Sequence, residues 1–211
     1  MSVYKFNKVL NDLHDWFILG DPEYLLQYKN TNNLPDDLIS VFTSTNVGDD
    51  AVEQGVIVPM IGVENYPYTI YFNLSDGTPE LLRSGNKLQH RKDGYCLKVN
   101  NGQIYLYTVR YLFDYTIEQL KFLKNNKKET IRIKNGWYSV SILAGLTKKV
   151  LEDNNSKEEM LELTPFDLMI RPPGYDFIEG DLVPTFEFLI KPSVEKPEYK
   201  GETSYKFSIG L

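Results

Sequence analysis

The chain runs to 211 residues with 42 % hydrophobic and 13 % aromatic side chains, enough apolar material to offset chain entropy around a core, which excludes wholesale disorder. Its net charge of −6 is unevenly laid down: residues 83–134 carry twelve Lys/Arg against four Asp/Glu, residues 1–82 three against twelve, and residues 135–211 eight against thirteen. The single Cys96 excludes an internal disulfide, and no run approaches the roughly 18–20 apolar residues that span a bilayer.

The first residues, MSVYKFNKVLNDLHDW, lack a basic stretch leading into an apolar one, so a soluble cytoplasmic protein is expected. Val9, Leu10, Leu13, Trp16 and Phe17 recur at spacings of three and four, which predicts an amphipathic helix stopped by Gly20 and Asp21-Pro22. Asp21 is placed to cap a second helix, with Pro22 at its first position and Tyr24, Leu25, Leu26 and Tyr28 following. A third turn is expected from Leu34-Pro35. From about residue 55 the pattern changes to short runs rich in β-branched and aromatic residues: GVIVPMIGV, YPYTIYFNL at 66–74, YCLKV at 95–99 and QIYLYTVRYLF at 103–113. Asn100-Asn101-Gly102 tolerates positive φ and predicts a hairpin over 95–113; Asn135-Gly136 predicts a second, between TIRIK at 130–134 and WYSVSILAG at 137–145. Between them Thr116 and Gln119 form a capping box ahead of a short helix. Further strands are expected at 163–172, at PTFEFLIK (184–191) and at SYKFSI (204–209), with 147–160 an exposed excursion and KPSVEKPEYKGETS an extended connection.

The predicted architecture is therefore mainly β (α+β): an antiparallel β-sandwich or barrel-like sheet with short N-terminal helices. It is read as a single domain over 1–211, helical in 1–45 and antiparallel β in 55–211.

No familiar catalytic set is present. The two histidines, His14 and His90, lack a second His or Cys at metal-ligand spacing. The sequence has no P-loop, no Gly-rich dinucleotide turn and no G-x-S-x-G elbow, so no catalytic residue, metal or cofactor is assigned. Asp176, Glu179 and Asp181 form one acidic group, off calcium-loop spacing. Cys96, alternating with polar neighbours in YCLKV, reads as a small buried hydrophobe on a strand. The basic residues Arg83, Lys87, Arg91, Lys92, Lys121, Lys124, Lys127, Lys128, Arg132 and Lys134 form a candidate cationic surface. Tyr105, Tyr107, Tyr111 and Phe113 alternate along one stretch, which suits a core or an aromatic binding face.

The order YCLKVNNGQIYLYT, FDYT, TIRIKNGWYSVSILAG over residues 95–146 resembles the β-rich competence nuclease inhibitor and related bacterial immunity-type proteins. The likeness covers about a quarter of the chain, and no functional residue is carried over. The charge division makes an interaction protein the leading expectation, with an acidic surface of Asp36, Asp37, Asp49, Asp50 and Glu53 binding a basic toxin or nuclease. The alternatives are a carbohydrate- or small-ligand-binding β domain, hydrolytic if two carboxylates face each other, and nucleic-acid binding through 83–134.

Overall fold

The computed structural model describes residues 2–11, 15–148 and 182–211. Two sheets stack face to face, the sandwich of the two predicted alternatives. The five-stranded sheet has the order β1 (Val3–Leu10), β4 (Pro67–Asn73), β9 (Leu182–Ser193), β8 (Gly136–Lys148), β5 (Lys87–Val99). The four-stranded sheet has the order β3 (Ile57–Ile61), β2 (Trp16–Gly20), β6 (Gln103–Thr108), β7 (Thr130–Arg132). Among the described strands every pairing is antiparallel except β4 with β9. The helices α1 (Pro22–Thr31), α2 (Leu38–Ser44) and α3 (Val47–Glu53) follow β2, and α4 (Ile117–Asn126) joins β6 to β7.

The core lies between the sheets, where the Phe17 ring of β2 meets Tyr68 of β4 at 5.9 Å and Phe186 of β9 at 6.3 Å. Because side chains alternate along a strand, residues paired across β2 and β6 share a face. Leu19 opposite Leu106 therefore joins Phe17 toward the five-stranded sheet, and Ile18 opposite Tyr107 points the other way. That outer face is closed as well: the Tyr107 ring packs on Tyr111, and the Tyr115 hydroxyl donates to the carbonyl of Pro22 at 2.7 Å. Tyr105, Tyr107 and Tyr111 are all buried, so this Tyr-rich stretch is core between sheet and helices, while Phe113 stands exposed. The stretch is also not one strand, because β6 ends at Thr108 and Val109–Leu112 is a 3₁₀ turn.

The N-terminal helix expected over Val9–Phe17 is not formed; residues 3–10 and 16–20 are strands, and the helical part is Pro22–Glu53 rather than 1–45. The reason is burial. Phe17, Ile18 and Leu19 lie on a strand paired on both sides and are covered on both faces, so the run WFILG has no polar side and no period to betray it.

Both predicted hairpins are corners instead. β5 pairs with β8 in one sheet, and β6 pairs with β7 in the other. Residues 87–108 and 130–148 thus form one long antiparallel ribbon that bends from sheet to sheet, Val99 facing Gly136 before the bend and Gln103 facing Arg132 after it. Gly102 supplies the turn at φ +70°, and the two corners are stitched together by Gly102 N–H to Asn135 Oδ1 at 2.7 Å and Ile133 N–H to the Gly102 carbonyl at 3.0 Å.

Two buried carboxylates tie distant segments to this frame. Asp21, 1 % exposed, caps α1 by accepting from Glu23 and Tyr24 N–H with Oδ1, as expected, and its Oδ2 also accepts from the N–H groups of Asn100 and Asn101 at 2.9 and 2.8 Å. Glu187 on β9, fully buried, accepts from Asn73 Nδ2 (2.8 Å) and from Glu80 and Leu81 N–H (3.0 and 2.9 Å). It fastens the 3₁₀ turn Glu80–Leu82 over the outer face of the five-stranded sheet.

The C-terminal stretch SYKFSI alternates as expected, with Phe207 and Ile209 buried, but makes a single bridge, Lys206 with Ile61, rather than a strand. The Thr116 cap of α4 forms as read, accepting from Gln119 N–H at 3.2 Å. Strand 163–172, most of the excursion at 147–160, and His14, Asp176, Glu179 and Asp181 lie outside the described residues.

Candidate functional site

The five acidic residues singled out in the sequence do not form one equivalent set. Asp36 is paired with the ammonium of Lys29, itself nearly buried. Asp37 is the cap of α2, accepting from Ser40 N–H and Oγ, and these hydrogen bonds hold its carboxyl below the usual range. Asp50 accepts from the Tyr28 hydroxyl at 2.6 Å and from Gln54 Nε2 at 2.8 Å. Three of the five therefore have local structural partners.

Asp49 and Glu53, four apart in α3, share a helix face. Beside them the C-terminal segment returns, and Thr203 Oγ1 donates to Asp49 Oδ1 at 3.1 Å. Glu53, Lys196, Pro197, Glu198 and Tyr199 line an open groove of about 370 Å³ between the helix and this segment. Glu53 and Glu198 are exposed, and Lys200 pairs with Glu198 at 2.7 Å. The Tyr199 hydroxyl is buried and without a hydrogen-bond partner among the described residues, an uncommon state for a polar group. Burial first, then the charges of Asp49, Glu53, Cys96 and Glu202, push its pKa up to about 12.

Cys96 lies behind α3 with its sulfur 3.3 Å from the Glu53 carbonyl, and burial raises its pKa. A buried thiol held protonated is a packing group, not a nucleophile. His90 spends both ring nitrogens on the C-terminal segment, 2.7 Å from the Tyr205 hydroxyl and 2.7 Å from the Ser208 carbonyl. Among the described residues no group of three or more His, Cys, Asp or Glu is arranged to hold a metal ion, and no helix is long and apolar enough to cross a membrane. The groove thus presents the Glu53 carboxylate, a Glu198 carboxylate that already holds the Lys200 ammonium, and the Lys196 side chain beside an aromatic wall.

The basic segment is divided by the fold. Its first part is β5, at the edge of one sheet; its second is α4 and β7, beside the other. Folding also mixes the charges: Lys92 pairs with Glu202 at 2.8 Å and Lys124 with Glu23, joining the basic segment to both acidic flanks. Arg83, Arg91 and Lys127 pair with Glu80, Asp93 and Glu129. Five of the ten cations proposed from the sequence are thus paired with carboxylates.

Glu198 and Tyr199 are the site residues that sequence reasoning missed. They sit in a stretch read only as a connection, and nothing local in K-P-E-Y announces the α3 face that it meets.

A pH dependence follows from the hydroxyls. Tyr95, pushed up to about 12 chiefly by burial, and Tyr199 keep protons in the native state that an unfolded Tyr loses near pH 10. Their contribution is intact below about pH 10 and is lost as pH rises toward 12. Urea midpoints are expected to hold to about pH 9 and then fall, with a shallower fall in Tyr199→Phe; identical slopes for the two proteins would contradict the assignment.

No family model matches this sequence, and no curated protein is significantly similar to it. A solved structure titled "Crocagin biosynthetic gene J" superposes with a TM-score of 0.42 at 9 % identity, covering 89 % of this chain and 96 % of that one. A likeness at that level carries no argument about the site.

Proposed function

We infer that this is a non-catalytic binding protein whose groove between α3 and the C-terminal segment receives a basic side chain or segment of a protein partner. The supporting observation is the convergence of Glu53 and Glu198, from distant parts of the chain, on one open groove walled by Tyr199, where Glu198 already pairs with Lys200 and Lys196 stands alongside, so that a partner's cation would compete with the chain's own. Carboxylates on a shaped surface speed and orient the approach of a cationic partner, and a tyrosine ring covers its aliphatic stem at little entropic cost. The resemblance of residues 95–146 to nuclease inhibitors suggests the class of partner: a basic toxin or nuclease. Asp49 reinforces the field of the groove, whereas Asp36 and Asp37 contribute to the fold.

Two variants of equal net charge test this reading. A fluorescein-labelled octa-arginine peptide is expected to bind Glu53→Gln/Glu198→Gln at least about tenfold more weakly than the parent, while Asp36→Asn/Asp37→Asn stays within about twofold. Equal losses in both would mean that only overall charge matters.

A further inference from the structure

The last residues of the chain are held as a bound peptide is held. From Tyr199 onward the segment lies as a strap against β5 and the end of β3, and inserts two side chains, Phe207 and Ile209, which are 0 % and 1 % exposed. The Phe207 ring enters the space between the sheets, 6.0 Å from Phe186 and 6.3 Å from His90. Around these anchors sits a polar clamp. Phe207 N–H donates to the Ile61 carbonyl at 2.9 Å, Gln89 exchanges hydrogen bonds with both backbone groups of Gly210 (2.6 and 2.8 Å), and His90 grips Tyr205 and Ser208. Lys92 lies 3.8 Å over the Tyr205 ring and pairs with Glu202. These contacts run between strap and body, and among the described residues the strap's only β pairing is the bridge of Lys206 with Ile61.

The chain leading to the strap is a ready hinge. Val194, Glu195, Lys196 and Glu198 are exposed, Pro192 and Pro197 stiffen its ends, and Val194 is 105 % exposed. Beyond the end of β9 at Ser193, the five residues 194–198 reach about 17 Å when extended, the length available for passing the strap to an adjoining molecule. Such an exchange conserves every strap contact, which is why swapped elements form dimers at low cost.

We propose that the slot filled by Phe207 and Ile209 is a binding site for the C-terminal segment of a second copy of this chain, and that the protein self-associates by exchanging straps. The slot selects an aromatic residue followed two positions later by an aliphatic one. This goes beyond the binding reading above, and it shares residues with that reading because the linker that would carry the exchange, up to Glu198, also lines the groove beside Glu53.

A labelled peptide of residues 204–211 supplies the probe, read by fluorescence anisotropy against full-length Phe207→Ala, whose own strap is weakened. Binding is expected at least about tenfold tighter than to the parent, where the strap competes in cis, and a peptide carrying the same Phe207→Ala change should not bind. In sedimentation, the parent should show a concentration-dependent dimer that Phe207→Ala lacks. If Phe207→Ala fails to fold, Ile209→Ala, which weakens the strap at its other anchor and leaves the slot intact, takes its place. A folded variant that ignores the peptide overturns the proposal, and so does peptide binding with a parent that stays monomeric, since the slot would then serve a foreign segment.

Discussion

Replacing Asp21 by alanine should lower stability by about 3–5 kcal/mol, because one carboxylate satisfies four backbone donors in a buried place. Glu23 and Tyr24 N–H lose their cap, and Asn100 and Asn101 N–H lose the acceptor that holds the corner between β5 and β6. For a domain of this size that corresponds to roughly 10–15 °C in Tm. Asp37 also caps a helix, but from a surface position with Ser40 as its partner. Asp37→Ala should therefore cost well under half as much in parallel urea titrations. Comparable losses would show that Asp21 acts only as an α1 cap, with no role at the corner.

Glu187→Ala should cost about 3–4 kcal/mol by leaving buried Glu80 and Leu81 N–H and the Asn73 amide without an acceptor. Glu187→Gln should recover little of this. Oε1 receives Asn73 and Glu80, and Oε2 receives Leu81, so an NH₂ group at either position faces a donor. Hydrogen exchange locates the effect: amides of the Glu80–Leu82 turn should lose protection before those of β8 and β9. A Gln variant as stable as the parent would contradict the carboxylate's role.

Glu187 was illegible in the sequence for a physical reason. It alternates in PTFEFLIK as an outward residue should, and outward here means under the 75–86 segment, whose donors lie more than a hundred positions away. Asp21 was half legible: its cap is a local pattern, whereas Asn100 and Asn101 reach it only through the tertiary fold. The strands β4, β8 and β9 could be read because branched and aromatic residues cluster there. β2 could not, because a strand buried on both faces has no amphipathic signature, and Val9, Leu10, Leu13, Trp16, Phe17 mimic a helix by coincidence of spacing. The Asn-Gly signals marked real turns, as Gly102 at φ +70° attests. Turn chemistry sets the local reversal or bend, but partner choice belongs to the rest of the sheet, and the two turns proved to be stacked corners of one ribbon.

The candidate site divides the same way. Charge counting found Glu53 along with four acids that the fold engages, Asp36, Asp37 and Asp50 in capping and pairing and Asp49 through Thr203, since a count cannot tell a free carboxylate from a satisfied one. Glu198 and Tyr199 arrive at α3 because the strap is seated farther along, by Phe207 between the sheets.

Chemical-shift mapping of the ¹⁵N-labelled protein against an octa-arginine peptide tests the binding proposal most directly. Salt-sensitive perturbations should centre on Asp49, Glu53 and residues 196–199 and leave Asp36 and Asp37 unchanged. Perturbations centred on Asp36 and Asp37, or spread evenly over the acidic surface, would contradict it.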